Sequence, residues 1–355
     1  MKYRIVFVFF IITLICKNLY SQYPFPVKEY TDSLASLGDK IINGKSDFVR
    51  FEANEKFKNL LVFILSHDKA IEIDFSPVKN LSALAPEDNS FMIFSWVVPR
   101  TNQSFESFGI LYAYNNRRKV YEIIELKDVK NTVTNAEKKT FRKGEWWGAL
   151  YYDIITVKSR GRVYHTLIGW DGNNALSTRK VVDILSLSPM AQPTFGASLF
   201  SGFGKQQKRV VFEYSANTQM VLRYEKQTYY VEKKKKSKNT QKPPTSKTPH
   251  TSDGFKAQQN VDDNIKRKKK SALMIVFDRL VPLNPSLNGV YEFYIPETNI
   301  VDGFLYYNDR WNYIPDVDAR NPIVPHDKLP QMQKDGHMPV SQRKVKTKIP
   351  PVNDN

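Results

Sequence analysis

"ALYYDIITVKSRGRVYHTLIGWDGNN", residues 149–174, decides how this chain is read. Two runs of strand-forming residues, "ALYYDIITVK" and "VYHTLIGW", flank a short "SRGR", and Gly161 supplies the positive φ that a tight hairpin turn needs. The stretch is therefore predicted to be a β-hairpin. It ends in "GWDGNN", a Trp-Asp pair running into a Gly-Asn-Asn turn, with the basic pair Arg179 and Lys180 close behind.

That ending admits several readings. A propeller of Trp-Asp repeats would show such pairs at a period near forty residues, and Trp170–Asp171 has no comparable second. A helix–loop–helix calcium loop needs a glutamate at its twelfth position, where this chain has Val182. The simplest physical reading is a strand end. Trp170 packs, Asp171 caps the turn with its own side chain, and Gly172 and Asn173 take left-handed conformations. On this reading Trp170→Ala is costly, and Asp171→Asn is mild because an amide oxygen still accepts the turn hydrogen bond. Trp170, Asp171, Asn173 and Arg179 are the residues nominated here for binding.

The same two-residue period extends on both sides. "FMIFSWVV" reads as a strand and "GILYAY-NNRR-KVYEIIEL" as a hairpin; "KVVDILSLS", "PTFGASLF" and "KRVVFEYS-ANTQ-MVLRYEK" follow. "SALMIVFDRLV", "GVYEFYI" and the hairpin "GFLYYND-RWNYI" close the series. Strands this short, with regular turn signals, predict a mainly β, antiparallel body, either a meander or propeller-like sheet or a sandwich. The 5 Trp, 19 Tyr and 22 Phe fall mostly in these strands, where they would cover half-buried faces.

Two short amphipathic helices are predicted before the strands, within about residues 24–66. In "EYTDSLASLGDKIING" Leu34, Leu37 and Ile41 form one stripe, with Thr31 or Asp32 as start signal and Gly44 as stop. In "NEKFKNLLVFILSH" Asn54 is the predicted N-cap, and Phe57, Leu60, Leu61 and Ile64 form the stripe.

Outside this body the composition changes. A basic "MKYR" precedes the apolar run Ile5–Ile15, too short for a bilayer-spanning helix of about twenty residues, so residues 1–21 read as a signal peptide. Leu14 and Ile15 are too large to precede a lipid-modified Cys16. The mature chain would then be soluble, with no transmembrane segment, and periplasmic or secreted. Cys16 is the sole cysteine, so disulfides, thiol catalysis and cysteine metal sites are excluded after cleavage. Residues 233–270, rich in Lys, Ser, Thr and Pro, read as a disordered insertion in the 22–327 body, and 328–355 as a disordered basic tail.

The net charge of +17 suggests nucleic acid, but its distribution excludes that partner. Residues 1–21, 233–270 and 328–355 carry +3, +10 and +4, so the remaining body holds 31 groups of each sign. A nucleic-acid-binding fold would carry its excess on a folded, aromatic-bearing face.

"YYDIITVKSRGRVYHTLIGWDGNNALSTRKVVDIL", "RVVFEYSANTQMVLRYE" and "IVFDRLVPLNPSLNGVYEFYIPETNIVDGFLYYNDRWNYIPDVDARN" resemble a family of uncharacterised exported β-rich proteins of Bacteroidota-type bacteria. The resemblance runs from about Leu60 to Asn321 and departs in the Lys-rich insertion. It implies export and a β-rich fold, and it brings no established activity, ligand or catalytic residue.

The chain has five histidines, and only His165 lies within a predicted strand; neither a G-x-S-x-G elbow nor an H-E-x-x-H pair is present. No catalytic residue, metal ligand or cofactor is assigned. A glycosidase needs only two carboxylates, for which Asp153, Asp171, Glu213 and Glu292 are candidates. On strand alternation most of these would occupy the solvated side of a sheet. The sequence therefore points to a non-catalytic binding or envelope-associated structural protein, with a cell-envelope polysaccharide or another envelope protein as partner. A glycosidase-like hydrolase of extracellular glycans is the alternative.

Overall fold

The computed structural model describes residues 25–204, 206–232 and 267–317. The predicted signal peptide, residues 233–266 of the predicted insertion and the tail 328–355 lie outside the described residues.

The described chain is mainly β, with two helices before the strands. Helix α1 spans Val27–Asn43 and helix α2 spans Asp47–Leu65. Both begin earlier than their cap signals predicted. In α1 the Thr31 hydroxyl donates to Val27 O at 3.1 Å, from inside the helix. In α2 the N-cap is Ser46, whose oxygen accepts from Val49 N. Asn54 is instead a buried mid-helix residue whose Oδ1 accepts from Trp96 Nε1 at 2.7 Å. A cap-forming residue type is tolerated there because a buried indole needs an acceptor.

The first sheet holds β1 (Ser82–Leu84), β2 (Phe91–Pro99), β3 (Phe105–Asn115), β4 (Val120–Asp128) and β6 (Glu145–Trp146), in the order β1-β2-β3-β4-β6. The second holds β5 (Phe141–Arg142), β7 (Leu150–Ser159), β8 (Arg162–Asp171), β9 (Ser177–Leu187), β10 (Pro193–Phe195) and β12 (Val210–Ser215). The third holds β11 (Phe200–Ser201), β13 (Leu222–Glu232), β14 (Arg267–Pro282), β15 (Tyr294–Tyr307) and β16 (Arg310–Ile314). The hairpin read from residues 149–170 is present as β7–β8. Its two-residue turn places Arg160 at φ 48° and Gly161 at φ 76°. The hairpin β15–β16 turns the same way, through Asn308 at φ 50° and Asp309 at φ 62°.

Two segments that look continuous in sequence divide between sheets. "PTFGASLF" breaks at Gly196, φ 89°, into β10 of the second sheet and β11 of the third. The "ANTQ" turn likewise joins β12, paired with β9, to β13, paired with β14. Strand β14 begins at Arg267, so residues 267–270 are ladder partners of Tyr229–Glu232 and not part of a disordered insertion. Their composition reads as loop, and pairing with a neighbouring strand overrides it.

The sheets stack. Met92, Phe94, Trp96 and Val98 pack against the helices, while Phe91 and Ile93 face Leu167, Val181 and Leu185 of the second sheet. On its other face the second sheet presents Ile168, Val182 and Ile184 to Ile275, Phe277, Phe304 and Trp311 of the third. Met274, Val276, Leu305 and Val317 form a smaller cluster on the far side. Helices cover the outer face of the first sheet, so the stack stays open, and no barrel closes.

The central strands are therefore buried on both faces, as Phe91–Val98 and His165–Gly169 are throughout. This corrects the expectation of half-buried strands with carboxylates on a solvated side. Asp171 and Asp183 have no exposure at all.

Candidate functional site

Three of the four nominated residues, Asp171, Asn173 and Arg179, come together around the buried Asp171 carboxylate, whereas Trp170 packs on Phe105. Asp171 ends β8, and its Oδ1 accepts from Asn173 N at 3.1 Å, the predicted side-chain cap. Lys130 Nζ lies 3.2 Å from the same oxygen and also reaches Asp128 Oδ2 at 2.8 Å and Gly148 O at 3.0 Å. The ammonium thus donates two hydrogen bonds and pairs with Asp171 by charge. On Oδ2, Asp171 meets Trp147 Nε1 at 3.3 Å and an Arg179 guanidinium nitrogen at 3.4 Å. Arg179 in turn donates through Nε to Glu213 Oε2 at 2.9 Å, and Asn173 Nδ2 donates to Ser177 Oγ at 2.7 Å.

The result is a chain of alternating charge, Asp128–Lys130–Asp171–Arg179–Glu213, joining the end of the first sheet to the second. Burial pushes the Asp128 carboxyl above its ordinary value, against the pull of Lys130. With Asp171 at zero exposure and both its oxygens occupied, this carboxylate ties the two sheets together and has no open position of its own for a ligand.

Two details depart from the strand-end reading. Asn173 is left-handed at φ 51°, but Gly172 is not among the positive-φ residues. Gly172 is required by space, since a Cβ there would lie 2.3 Å from the Phe105 ring and 2.6 Å from the Trp170 ring. Trp170 itself is half-buried, edge-on to Phe105 at 5.2 Å. Trp96, Trp146, Trp147 and Trp311 are all buried, so among the five indoles only the half-buried Trp170 keeps part of its ring exposed.

The carboxylate candidates divide similarly. Asp171 and Glu213 converge, but on the Arg179 guanidinium. Asp153 lies beside the β7 bulge, with Oδ1 accepting from Ile154 N at 2.9 Å, and Glu292 lies in the 3-10 turn Tyr291–Phe293. His165 is buried against the Phe91 ring edge, its Nδ1 3.1 Å from Thr156 Oγ1, and burial lowers its pKa to about 4. Among the described residues no cluster of three or more His, Cys, Asp or Glu side chains could hold a metal, and no helix is long and apolar enough to cross a membrane.

An open polar groove of about 530 Å³ lies elsewhere, where the second and third sheets meet at one end of the stack. Two hairpin turns build its rim. Arg160 N donates to Asp309 Oδ2 at 3.2 Å, and Tyr306 OH donates to Lys158 O at 2.5 Å, which ties the β7–β8 and β15–β16 turns together. The opposite wall is the β10–β11 connection, where Gly196 N donates to Ile184 O at 2.7 Å and Lys208 Nζ to Ser198 Oγ at 2.7 Å. Strand β5 adds Arg142, the register partner of Thr194.

The groove is rich in cations, arginines above all. Its lining includes Arg142, Arg160, Arg162, Lys208 and Arg310 against one carboxylate, Asp309. Twelve arginines have described side chains, and seven of them (Arg50, Arg100, Arg118, Arg179, Arg209, Arg223 and Arg279) hold a carboxylate. Of the remaining five, four line the groove and the other is Arg117. None of these groove arginines was nominated from sequence. Arg160 and Arg162 carried only a turn signal, and nothing in the order of residues links them to Arg142 or Arg310. No protein-family model, curated protein or solved structure matches the chain.

Proposed function

We propose that this is a periplasmic or secreted, non-catalytic binding protein of the cell envelope, and that an envelope polysaccharide docks in the groove between the second and third sheets. One observation carries the reading: four guanidiniums without a carboxylate partner among the described residues line one open groove. Guanidiniums without a carboxylate partner have donors to offer, and a ligand that supplies acceptors of opposite charge is drawn to them. The fate of the carboxylates favours binding over hydrolysis. A glycosidase needs one carboxyl poised as acid and another free to attack or to activate water. Here Asp171 and Glu213 are committed to cations.

The test is a screen of the exported chain against immobilised envelope polysaccharides and a glycan array, with a reducing-end release assay run in parallel. Retention on a polysaccharide without release of reducing ends is the expected result. Release of reducing ends would establish the hydrolase alternative. Retention of an envelope protein and of no glycan would establish a protein partner instead.

A further inference from the structure

We infer that the groove selects an acidic polysaccharide, one whose sugars carry carboxylate or sulfate groups, over neutral glycans and over nucleic acid. This inference rests on the binding reading above and specifies its ligand.

Cation type matters first. Four of the five lining cations are arginines, and a planar guanidinium presents paired donors that match the two oxygens of a carboxylate or sulfate. The fifth, Lys208, already shares its ammonium with Ser198 Oγ, which leaves two donors for a ligand. The cations stand on different elements. Arg142 is on β5, Arg160 lies in the β7–β8 turn, Arg162 opens β8, and Arg310 opens β16. Cations spread across separate walls suit several charges along a chain better than one compact anion.

The remaining lining separates sugars from nucleotides. Ser186, Thr194 and Ser198 supply hydroxyls, and Asp309 is a carboxylate able to accept from a sugar hydroxyl. Tyr164 is the groove's one aromatic, whereas single-stranded nucleic acid is held by successive aromatic platforms on which bases stack. Hydroxyl-bearing sugars with spaced acidic groups offer partners to both the guanidiniums and the hydroxyls; a neutral glycan leaves the guanidiniums unanswered.

The Lys-rich segments 233–270 and 328–355 attract any polyanion, so the experiment uses a short probe at physiological salt and compares arginine variants in the full exported chain. The probe is trigalacturonate, titrated by calorimetry, with a neutral dextran oligosaccharide and a single-stranded oligodeoxynucleotide as comparators. The inference predicts that trigalacturonate binds with one-to-one stoichiometry and weakens between about 50 and 500 mM salt. Removing Arg160, Arg162 and Arg310 together (each →Gln) should weaken it about 100-fold or more, and Arg117→Gln should leave it unchanged. These side chains are exposed and unpaired, so matching melts of the variants should establish that the fold is intact.

Equal binding by the triple variant would place anion affinity in the Lys-rich segments and overturn the inference. Preference for the oligonucleotide would overturn it as well. Binding of dextran with no gain for the acidic probe would overturn the acidic specificity and leave the polysaccharide-binding reading standing. Failure of the wild-type chain to bind any glycan, acidic or neutral, would remove both. The salt dependence and comparator series on wild type decide the question even where a variant fails to fold.

Discussion

Arg209 Nε stands 3.1 Å from Asp183 Oδ2, and neither side chain has any solvent exposure. The N–H is not aimed at the carboxylate, so the attraction is coulombic, and other contacts orient the pair. The guanidinium donates to Lys139 O at 2.9 Å and to Ala136 O, and it lies 4.2 Å over the Phe141 ring. Asp183 accepts from Tyr151 OH at 3.3 Å and from Ile184 N at 2.8 Å. Removing one member strands the other charge in a core. Asp183→Asn and Arg209→Met should each therefore cost about 3–5 kcal/mol, read as a shift in urea midpoint at unchanged slope. A loss below about 1 kcal/mol would mean the pair is solvated in solution.

At the strand end, burial reverses the order that the sequence suggested. Asp171→Asn keeps the Asn173 cap but weakens the hold on Lys130 and Arg179, so a cost of about 3 kcal/mol is expected. Trp170→Ala removes a half-buried ring and should cost about 1–3 kcal/mol, below the range for full core truncation. Chemical denaturation of the two variants side by side decides the order; a milder effect for Asp171→Asn would return the site to a simple turn.

Gly172→Ala tests space rather than backbone conformation. The added methyl meets the Phe105 and Trp170 rings, and overpacking of this kind costs about 1–3 kcal/mol. Pairing it with Phe105→Leu should recover part of the loss. If the double variant is no more stable than the single one, the clash lies elsewhere.

His165 makes stability depend on pH. Its folded pKa of about 4 lies below the ordinary value of 6.5, so between these limits the unfolded chain binds the extra proton. Stability from this residue is complete above about pH 6.5 and is lost as pH falls towards 4, amounting to about 3 kcal/mol across the window. His165→Gln should flatten that part of the profile relative to wild type. Parallel melts from pH 4 to 7 measure the difference, and identical slopes would show that the ring protonates in the folded state.

Local pattern was enough to establish much of this protein. Alternating apolar and polar residues, with Gly161 and the Asn308–Asp309 pair at positive φ, determined the two hairpins, because strand period and turn chemistry act within a few residues. The apolar stripe Leu34–Ile41 and the Asp171 side-chain cap are of the same local kind. Only the tertiary structure decided which faces are buried. The continuous run Phe91–Val98 is sandwiched between helices and a second sheet, and "ANTQ" and Gly196 hand the chain from one sheet to the next. Burial on both faces turned Asn54 from a cap into an indole acceptor and Asp171 from a surface carboxylate into the centre of an ion network. The groove depended on the fold most of all. Arg142, Arg160 and Arg310 are brought to one rim by strand pairing and sheet stacking, and charge acts through space, where sequence separation has no bearing.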